Sequence, residues 1–226
     1  MGRRFDRIVA TLSRRQLDLT IAMENVHKSR NLGAVARTCD AIGVGVIHAI
    51  TSDPSPVKLG HKTAGGTEKW ISVRQHSTTE SAYAEFRSRG FNILAAAIGP
   101  GTVDFREVDY TKPSVLVVGS ELDGLSDAAS ANADMRVHIP LMGMVESLNV
   151  SVATGIILYE AARQREKAGL YAARQISPQS YERLLFEWLH PSVASYCKAH
   201  RRPYPSLDPD GEIVEPVSGN RREGFK

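Results

Sequence analysis

Cysteine is scarce in this chain of 226 residues. Two cysteines occur, Cys39 and Cys197, and they are far apart along the chain. Disulfide frameworks and zinc sites need more cysteines, or cysteine and histidine pairs at short spacing. The seven histidines are scattered and form no ligand cluster. We therefore expect a reduced cytoplasmic protein that holds no metal.

Long apolar runs and nucleotide-binding glycine motifs are missing as well. No run of about 18 apolar residues exists, so the sequence predicts no membrane span. The N-terminus carries charges but no continuous apolar segment, which argues against a signal peptide. Neither G-x-G-x-x-G nor G-x-x-x-x-G-K-[ST] occurs, so a nicotinamide dehydrogenase or a P-loop enzyme is not supported.

The net charge of +3 is unevenly distributed. Residues 1–30 carry seven Lys/Arg against three Asp/Glu, and residues 160–202 carry eight against four. The segment between them, residues 31–159, carries ten against thirteen. This pattern suits a catalytic body whose two arms hold an anionic polymer. On charge alone, solvated helix faces explain it about equally well.

Apolar strands alternate with helical patterns through residues 18–168. The predicted strands are 18–26, 44–50, 70–76, 91–98, 114–120 and 135–140, and the predicted helices are 3–15, 31–43, 78–90, 149–168 and 177–190. Near-continuous apolar strands of this kind predict an α/β fold with a mostly parallel sheet and helices on both faces. We expect residues 51–69 to be irregular and residues 203–226 to be loose. The predicted organisation is a basic helical extension (1–17), an α/β domain (18–168) and a C-terminal helical extension (169–226).

The first candidate site lies in residues 27–40, at the start of the first helix of the α/β domain. A basic turn leads into a helix N-terminus, where a phosphate can bind, and Asn31 is a candidate N-cap. Arg37 lies two turns into this helix among small residues, which leaves room for a ligand or another chain. The alternative is that Arg37 simply pairs with Asp40 three residues later.

Two further candidates follow later strands. A strong strand runs into Gly119, Ser120 and Glu121, where glycine allows close approach of the backbone to a ligand; the alternative is an ordinary tight turn. Residues 143–164 carry Glu146, Ser147 and Asn149 near their start and continue as an apolar helix. Ser147 or Asn149 could cap this helix, but one cap needs one such residue, so three polar groups exceed what capping requires.

In this order, the three stretches resemble the three signature motifs of the SPOUT class of RNA methyltransferases, and within it the TrmH (SpoU) branch of ribose 2′-O-methyltransferases. The matching positions are Asn31, Arg37, Gly119, Glu121, Gly124, Ile139, Pro140, Ser147, Leu148 and Asn149. The resemblance extends to both ends of the chain, where it points to the tRNA-specific members of the branch.

The resemblance implies a C-terminal deep trefoil knot, an obligate homodimer and S-adenosylmethionine as cofactor. By position, the cofactor is lined by backbone around Ala96, Gly119, Ile139, Met144 and Leu148. The implied substrate is tRNA, and the implied reaction is 2′-O-methylation of guanosine 18 in the D-loop. The same chemistry on ribosomal RNA is the nearest alternative, and a catalytically silent RNA-binding protein is a further one.

The resemblance also assigns roles to polar residues. Arg37 is the expected activator of the ribose hydroxyl, through its charge rather than as a base, because guanidinium stays protonated. Asn31 is expected to orient Arg37 or the ribose, while Glu121, Ser147 and Asn149 shape the substrate pocket. The candidates for binding tRNA phosphates are Arg3, Arg4, Arg7, Arg14, Arg15, Lys198, Arg201 and Arg202.

Overall fold

The structure, a computed structural model, describes residues 2–26 and 28–214, apart from the side chains of residues 61 and 62. The chain forms two compact units, a sheet unit (Arg15–Ala173) and a helical unit made of Met1–Arg14 and Arg174–Lys226. The described helices are α1 (Gly2–Ser13), α2 (Ser29–Ala41), α3 (His61–Ala64), α4 (Thr79–Ser88), α5 (Asp127–Ala131), α6 (Val150–Lys167), α7 (Pro178–Leu189) and α8 (Pro191–Ala199).

The sheet unit is built on seven strands in the order β3-β2-β1-β6-β4-β7-β5. They are β1 (Leu19–Glu24), β2 (Val46–Ile50), β3 (Ser72–His76), β4 (Asn92–Ala96), β5 (Val103–Asp104), β6 (Ser114–Val118) and β7 (Met135–His138). Every pairing between these strands is parallel, which confirms and sharpens the expected mostly parallel sheet. The two-residue strand β5 was not predicted.

Helices cover both faces of the sheet, because alternate strand residues point to opposite sides. On one face, Leu116 and Val118 belong to a core that includes residues of α2 and α6. On the other face, Val115 and Val117 belong to a core that includes residues of α4 and α5. The carboxyl ends of all seven strands therefore point to one edge of this layered unit.

Two sequence predictions in this unit were wrong. Asn31 is not an N-cap: α2 begins earlier, because the Lys28 carbonyl accepts the backbone N–H groups of Asn31 at 2.9 Å and Leu32 at 3.1 Å. The side chain of Asn31 is thereby left for other partners. The segment 51–69 is not wholly irregular, since it contains α3 and a short 3-10 turn at Thr67–Lys69.

The position of Arg15 shows that another prediction, its role in binding tRNA phosphates, was wrong. Its side chain is 3% exposed, so it is not available to bind phosphate. The guanidinium donates to the carbonyl of Val44 at 2.8 Å, to Asp40 at 2.9 Å and to the carbonyl of Trp70 at 3.0 Å. Arg15 is thus a structural residue of the sheet unit.

The helical unit combines α1 with described residues of the C-terminal segment. Helix α1, which the sequence predicted over residues 3–15, buries Ile8 and Leu12. Residues 203–214, expected to be loose, are folded here: Tyr204 stacks on Phe186 at 4.7 Å, and the Gly211 carbonyl lies 2.7 Å from His190 Nε2. The remainder of the predicted loose tail, 215–226, lies outside the described residues.

Candidate active site

A cavity of about 520 Å³ opens at the carboxyl ends of β4, β6 and β7. Ligands in open parallel sheets bind at this edge. The walls are the chain segments that leave these three strands, together with the first turns of α6. Seven of the ten predicted site residues line it: Ala96, Gly119, Glu121, Ile139, Ser147, Leu148 and Asn149.

The polar residues of the three motifs meet through hydrogen bonds. Asn31 Nδ2 donates a hydrogen bond to Glu121 Oε1, and Asn149 Nδ2 lies 3.5 Å from Asn31 Oδ1. Asn31 is buried, whereas Glu121 and Asn149 face the cavity. Asn31 lies 90 positions from Glu121 and 118 positions from Asn149 along the chain, so the fold assembles this cluster.

Asn149 has a second role that the sequence predicted. Its side-chain Oδ1 accepts the backbone N–H of Ser151 at 2.9 Å, which caps the N-terminus of α6. The same oxygen accepts the Ser151 hydroxyl at 2.6 Å. The amide nitrogen remains directed toward Asn31, so one side chain both starts the helix and joins the polar cluster.

The segment 119–125 is a tight hairpin at the cavity wall. Ser120 and Gly124 exchange backbone hydrogen bonds of 3.0 and 3.1 Å, and the Ser120 hydroxyl accepts the Asp123 N–H at 3.0 Å. A Cβ atom added at Gly119 would lie 1.9 Å from the Gly124 carbonyl oxygen. Glycine is therefore required at position 119 by the turn itself, while the hairpin also lines the cavity.

Arg37 does not line this cavity. It is exposed on α2, and its guanidinium lies beside Gly65, where an added Cβ would be 3.7 Å away. Among the described residues, no hydrogen bond or ion pair holds it. Asp40 pairs with Arg15 instead, which removes the suggested Arg37–Asp40 pair.

Met144 and Ser147 complete the account of the predicted residues. Met144 is 99% exposed and lies outside the cavity lining, although its neighbour Ser147 is part of it. Lys28, Leu141 and Ala153 are among the lining residues that the prediction did not include. Leu141 and Ala153 gave no signal in the sequence, because apolar residues beside a strand end or in a helix are usually core residues.

The described part of the chain gives no support for a reactive thiol, a metal site or a membrane-spanning helix. Cys39 is fully buried, and burial raises the pKa of its thiol to about 12, so it stays protonated. No group of three His, Cys, Asp or Glu side chains in residues 2–26 and 28–214 is placed to hold a metal ion. Nor does any helix of that part combine the length and apolarity needed to cross a bilayer.

Comparison with known proteins places the chain in a family. Residues 18–159 match the model of the SpoU rRNA methylase family, and residues 163–216 match the model of the SpoU rRNA methylase C-terminal region. This chain belongs to the SpoU methylase family. The family model spans all three motif segments, and thus every residue of the polar cluster.

Individual SpoU relatives match over most of their length. The chain is 43% identical over 212 residues to the tRNA (guanosine(18)-2′-O)-methyltransferase of Escherichia coli K12, covering 93% of this chain and 92% of that protein. It is 48% identical over 183 residues to the enzyme of the same name from Thermus thermophilus, covering 81% and 94%.

Solved structures of SpoU proteins share the fold. A TrmH/SpoU tRNA modifying enzyme from Aquifex aeolicus superposes with a TM-score of 0.78 at 42% identity, covering 84% of this chain and 96% of that one. An AdoMet-bound rRNA methyltransferase from Sinorhizobium meliloti gives a TM-score of 0.59 at 32% identity, covering 69% and 59%.

Proposed function

We propose that this chain transfers a methyl group from S-adenosylmethionine to the ribose 2′-hydroxyl of guanosine 18 in the D-loop of tRNA, in the cytoplasm. The observation that carries the proposal is the cluster of Asn31, Glu121 and Asn149, because it joins the three family motifs at one cavity. The E. coli and T. thermophilus relatives, which match most of this chain, are named for this activity.

The cavity suits S-adenosylmethionine in size and in chemistry. Its volume of about 520 Å³ falls in the range of small-molecule sites. Ala96, Ile139 and Leu148 offer apolar surface, and the hairpin 119–125 brings its backbone close to the same space. When bound there, S-adenosylmethionine supplies an electrophilic methyl group on a sulfonium centre.

The polar cluster would position the ribose for this reaction. Methyl transfer is an in-line displacement, and fixed alignment of donor and acceptor contributes up to ~7–11 kcal/mol to rate acceleration. Glu121 is held by Asn31, and Asn149 is held by its own helix cap, so neither side chain has to be ordered when substrate arrives. Ser147 lines the same cavity and is exposed, so its hydroxyl is available to a ribose.

We propose that Arg37 acts on the reacting hydroxyl through its positive charge. A guanidinium does not give up its proton at neutral pH, so it stabilises negative charge on the oxygen or grips the adjacent phosphate. Its exposure and its lack of a described ion-pair partner leave it available for an RNA ligand. The small neighbour Gly65 leaves space around the guanidinium for that ligand.

We further propose that the protein is a homodimer. Large apolar side chains are exposed along one side of α6 and in the loop before it: Met142, Met144, Val145, Val152, Ile156 and Tyr159. Exposed large apolar side chains grouped in this way mark an interaction site, and they are sequence neighbours of residues that line the cavity. Light scattering should give twice the chain mass, and charged substitutions at Val152 and Tyr159 should reduce it.

We propose that the C-terminal part of the sheet unit forms the trefoil knot of the family. β7 lies beyond β4 in the sheet, whereas α6 shares the core of α2 and β1. The connection 139–149 must therefore cross back past the hairpin 119–125, and both segments line the cavity. Threading of one segment through the other accounts for this shared wall.

The helical unit is the proposed tRNA-binding part. Arg3, Arg4 and Arg7 are exposed on α1, and Arg201 and Arg202 are exposed after α8. Contacts of this kind with phosphates release counterions, so tRNA affinity should fall steeply as salt rises. Lys198 is less suited than expected from the sequence, because its Nζ lies 3.0 Å from the carboxylate of Glu187.

One experiment tests the proposed reaction and its alternative. The protein is incubated with labelled S-adenosylmethionine and either unmodified tRNA transcripts or ribosomal RNA, and the methylated nucleotide is mapped. We expect label on the ribose of guanosine 18 in tRNA. Label confined to ribosomal RNA would favour the alternative substrate, and absence of cofactor binding by calorimetry would favour a silent RNA-binding protein.

A further inference from the structure

The buried carboxylate of Glu24, which is not part of the polar cluster, accepts hydrogen bonds from Ser126, the residue that follows the hairpin 119–125. Glu24 is the last residue of β1 and is 4% exposed. Its Oε2 accepts the backbone N–H of Ser126 at 2.8 Å, and its Oε1 accepts the Ser126 hydroxyl at 2.8 Å and the Thr79 hydroxyl at 2.6 Å. A buried carboxylate left without such donors would be strongly destabilising, so these bonds fix its place.

The position of Ser126 makes this contact relevant to the cavity. Ser126 directly follows the hairpin 119–125, and its hydroxyl also caps α5 by accepting the Ala129 N–H at 3.1 Å. The hairpin enters from β6, whose position is fixed by pairing with β1 and β4. Glu24 fixes the other end, so the entry and the exit of the hairpin are both anchored to β1 or its neighbours.

A second contact from the same stretch of chain holds the hairpin wall. Asn31 binds Glu121 within the hairpin, and Glu24 binds Ser126 at its exit. Glu24 and Asn31 are seven positions apart, at the end of β1 and in the first turn of α2. One short segment therefore holds the hairpin at two points, Glu121 within it and Ser126 directly after it.

We infer that Glu24 is a positioning residue for the cofactor site: by holding Ser126, it sets the place of the hairpin 119–125 and thereby the affinity for S-adenosylmethionine. The inference rests on the proposed function, since it assigns the cavity to that ligand. Glu24 itself does not line the cavity and touches no reacting group. Its effect is transmitted through the hairpin backbone alone.

The contacts of Glu24 predict which substitutions matter. No described lysine or arginine pairs with this carboxylate, so its hydrogen bonds count for more than its charge. Glutamine can keep all three, because its oxygen accepts the Ser126 N–H while its NH₂ group donates to the two hydroxyl oxygens. Methionine has similar length and keeps none of them. Thr79→Val removes one bond to the same carboxylate from the α4 side, without touching the hairpin, and is the matched control.

The test measures S-adenosylmethionine binding by calorimetry and methylation kinetics on tRNA, using the full chain and four proteins: wild type, Glu24→Gln, Glu24→Met and Thr79→Val. We expect Glu24→Met to weaken cofactor binding by about tenfold or more, a loss comparable with one or two hydrogen bonds to a charged group. Its KM for S-adenosylmethionine should rise more than its KM for tRNA. Glu24→Gln and Thr79→Val should stay within about twofold of wild type.

Each result bears on one conclusion. If wild type binds no S-adenosylmethionine, the proposed function is wrong. If wild type binds it and Glu24→Met binds equally well, the positioning role is wrong. Equal weakening by Glu24→Met and Thr79→Val would also overturn it, because general destabilisation would then explain both. Should Glu24→Met not fold, Ser126→Ala replaces it: loss of the hydroxyl bond should weaken cofactor binding more than Thr79→Val does, and an equal or smaller effect overturns the inference.

Discussion

Gly119→Ala gives the sharpest test of how the hairpin builds the cavity. The glycine has no positive φ, so alanine is compatible with its backbone conformation and the whole effect is steric. The new Cβ would lie 1.9 Å from the Gly124 carbonyl oxygen, 2.0 Å from its carbonyl carbon and 2.3 Å from the Leu125 nitrogen. These atoms are backbone, so no side-chain rotation can relieve the contact.

The expected losses of stability and of cofactor binding in Gly119→Ala depend on how far the backbone of Gly124 has to move. A normal carbon–oxygen contact requires Gly124 to retreat by about 1 Å or more, which breaks the two backbone hydrogen bonds that close the hairpin. Two such bonds contribute about 2 kcal/mol, and overpacking adds about 1–3 kcal/mol. We expect the free energy of unfolding to drop by about 3–5 kcal/mol and S-adenosylmethionine binding to fall by about 100-fold or more, because the displaced residues line the cavity.

Gly124→Ala is the matched control within the same hairpin. Gly124 has φ +67°, so alanine carries a backbone cost of about 1–2 kcal/mol, but nothing lies within 4 Å of its added Cβ. Chemical denaturation and calorimetric titration of both variants separate strain from steric displacement. Cofactor binding by Gly119→Ala at the level of Gly124→Ala would refute the steric argument.

Three further predictions concern other parts of the chain. Arg37→Lys should lose most methylation turnover while calorimetry still shows S-adenosylmethionine binding; near-normal turnover would remove Arg37 from the chemistry. Burial, aided by His76, lowers the pKa of His48 to about 4. At position 48 the unfolded chain therefore binds a proton first as pH falls below about 6.5, and this residue alone should lower the free energy of unfolding by about 1.2 kcal/mol between pH 7 and 5.5. Urea titrations of His48→Gln should lack that part of the pH dependence, while the lowered pKa of His76 still contributes its own part. Arg15→Met should lower the free energy of unfolding by about 2–4 kcal/mol, because it removes the hydrogen-bond donor of buried carbonyls. Arg7→Gln should leave the free energy of unfolding unchanged, but in filter assays it should weaken both tRNA binding and the salt dependence of that binding. Equal stability of the two variants would contradict the buried role of Arg15.

The alternation of strands and helices could be predicted because each buried element carries its own periodicity. β6 and α6, for example, begin and end within two residues of their predicted bounds. The two-residue strand β5 could not be predicted, since so short a segment has no period and exists only because β7 offers it a partner. Strand order is likewise a property of long-range pairing: nothing local in β1 indicates that β6 lies beside it.

In the candidate site, too, roles with a local sequence signal could be predicted, whereas roles that depend on distant residues could not. Gly119 and Asn149 carry local signals, a glycine at a strand end and a cap before a helix, and both line the cavity. Asn31 was assigned a cap role by the same local logic, and that role was wrong because the Lys28 carbonyl starts the helix first. What the side chain of Asn31 does instead depends on Glu121, 90 positions away, and local patterns contain no trace of such a partner.

The arginines of this chain show why residue type alone does not assign a role. Arg15 and Arg7 were both predicted to bind tRNA phosphates, yet Arg15 is buried and satisfied by two carbonyls and Asp40, while Arg7 is exposed. Arg165 goes further: it is fully buried, and its guanidinium binds Gln16, Asp18 and the carbonyl of Tyr110. A guanidinium can enter the interior when fixed acceptors replace its water, and Arg15 and Arg165 meet that condition. Arg37 has no such acceptors among the described residues, so the charge it exposes is available to an anionic ligand, which is the physical reason to expect it at the RNA.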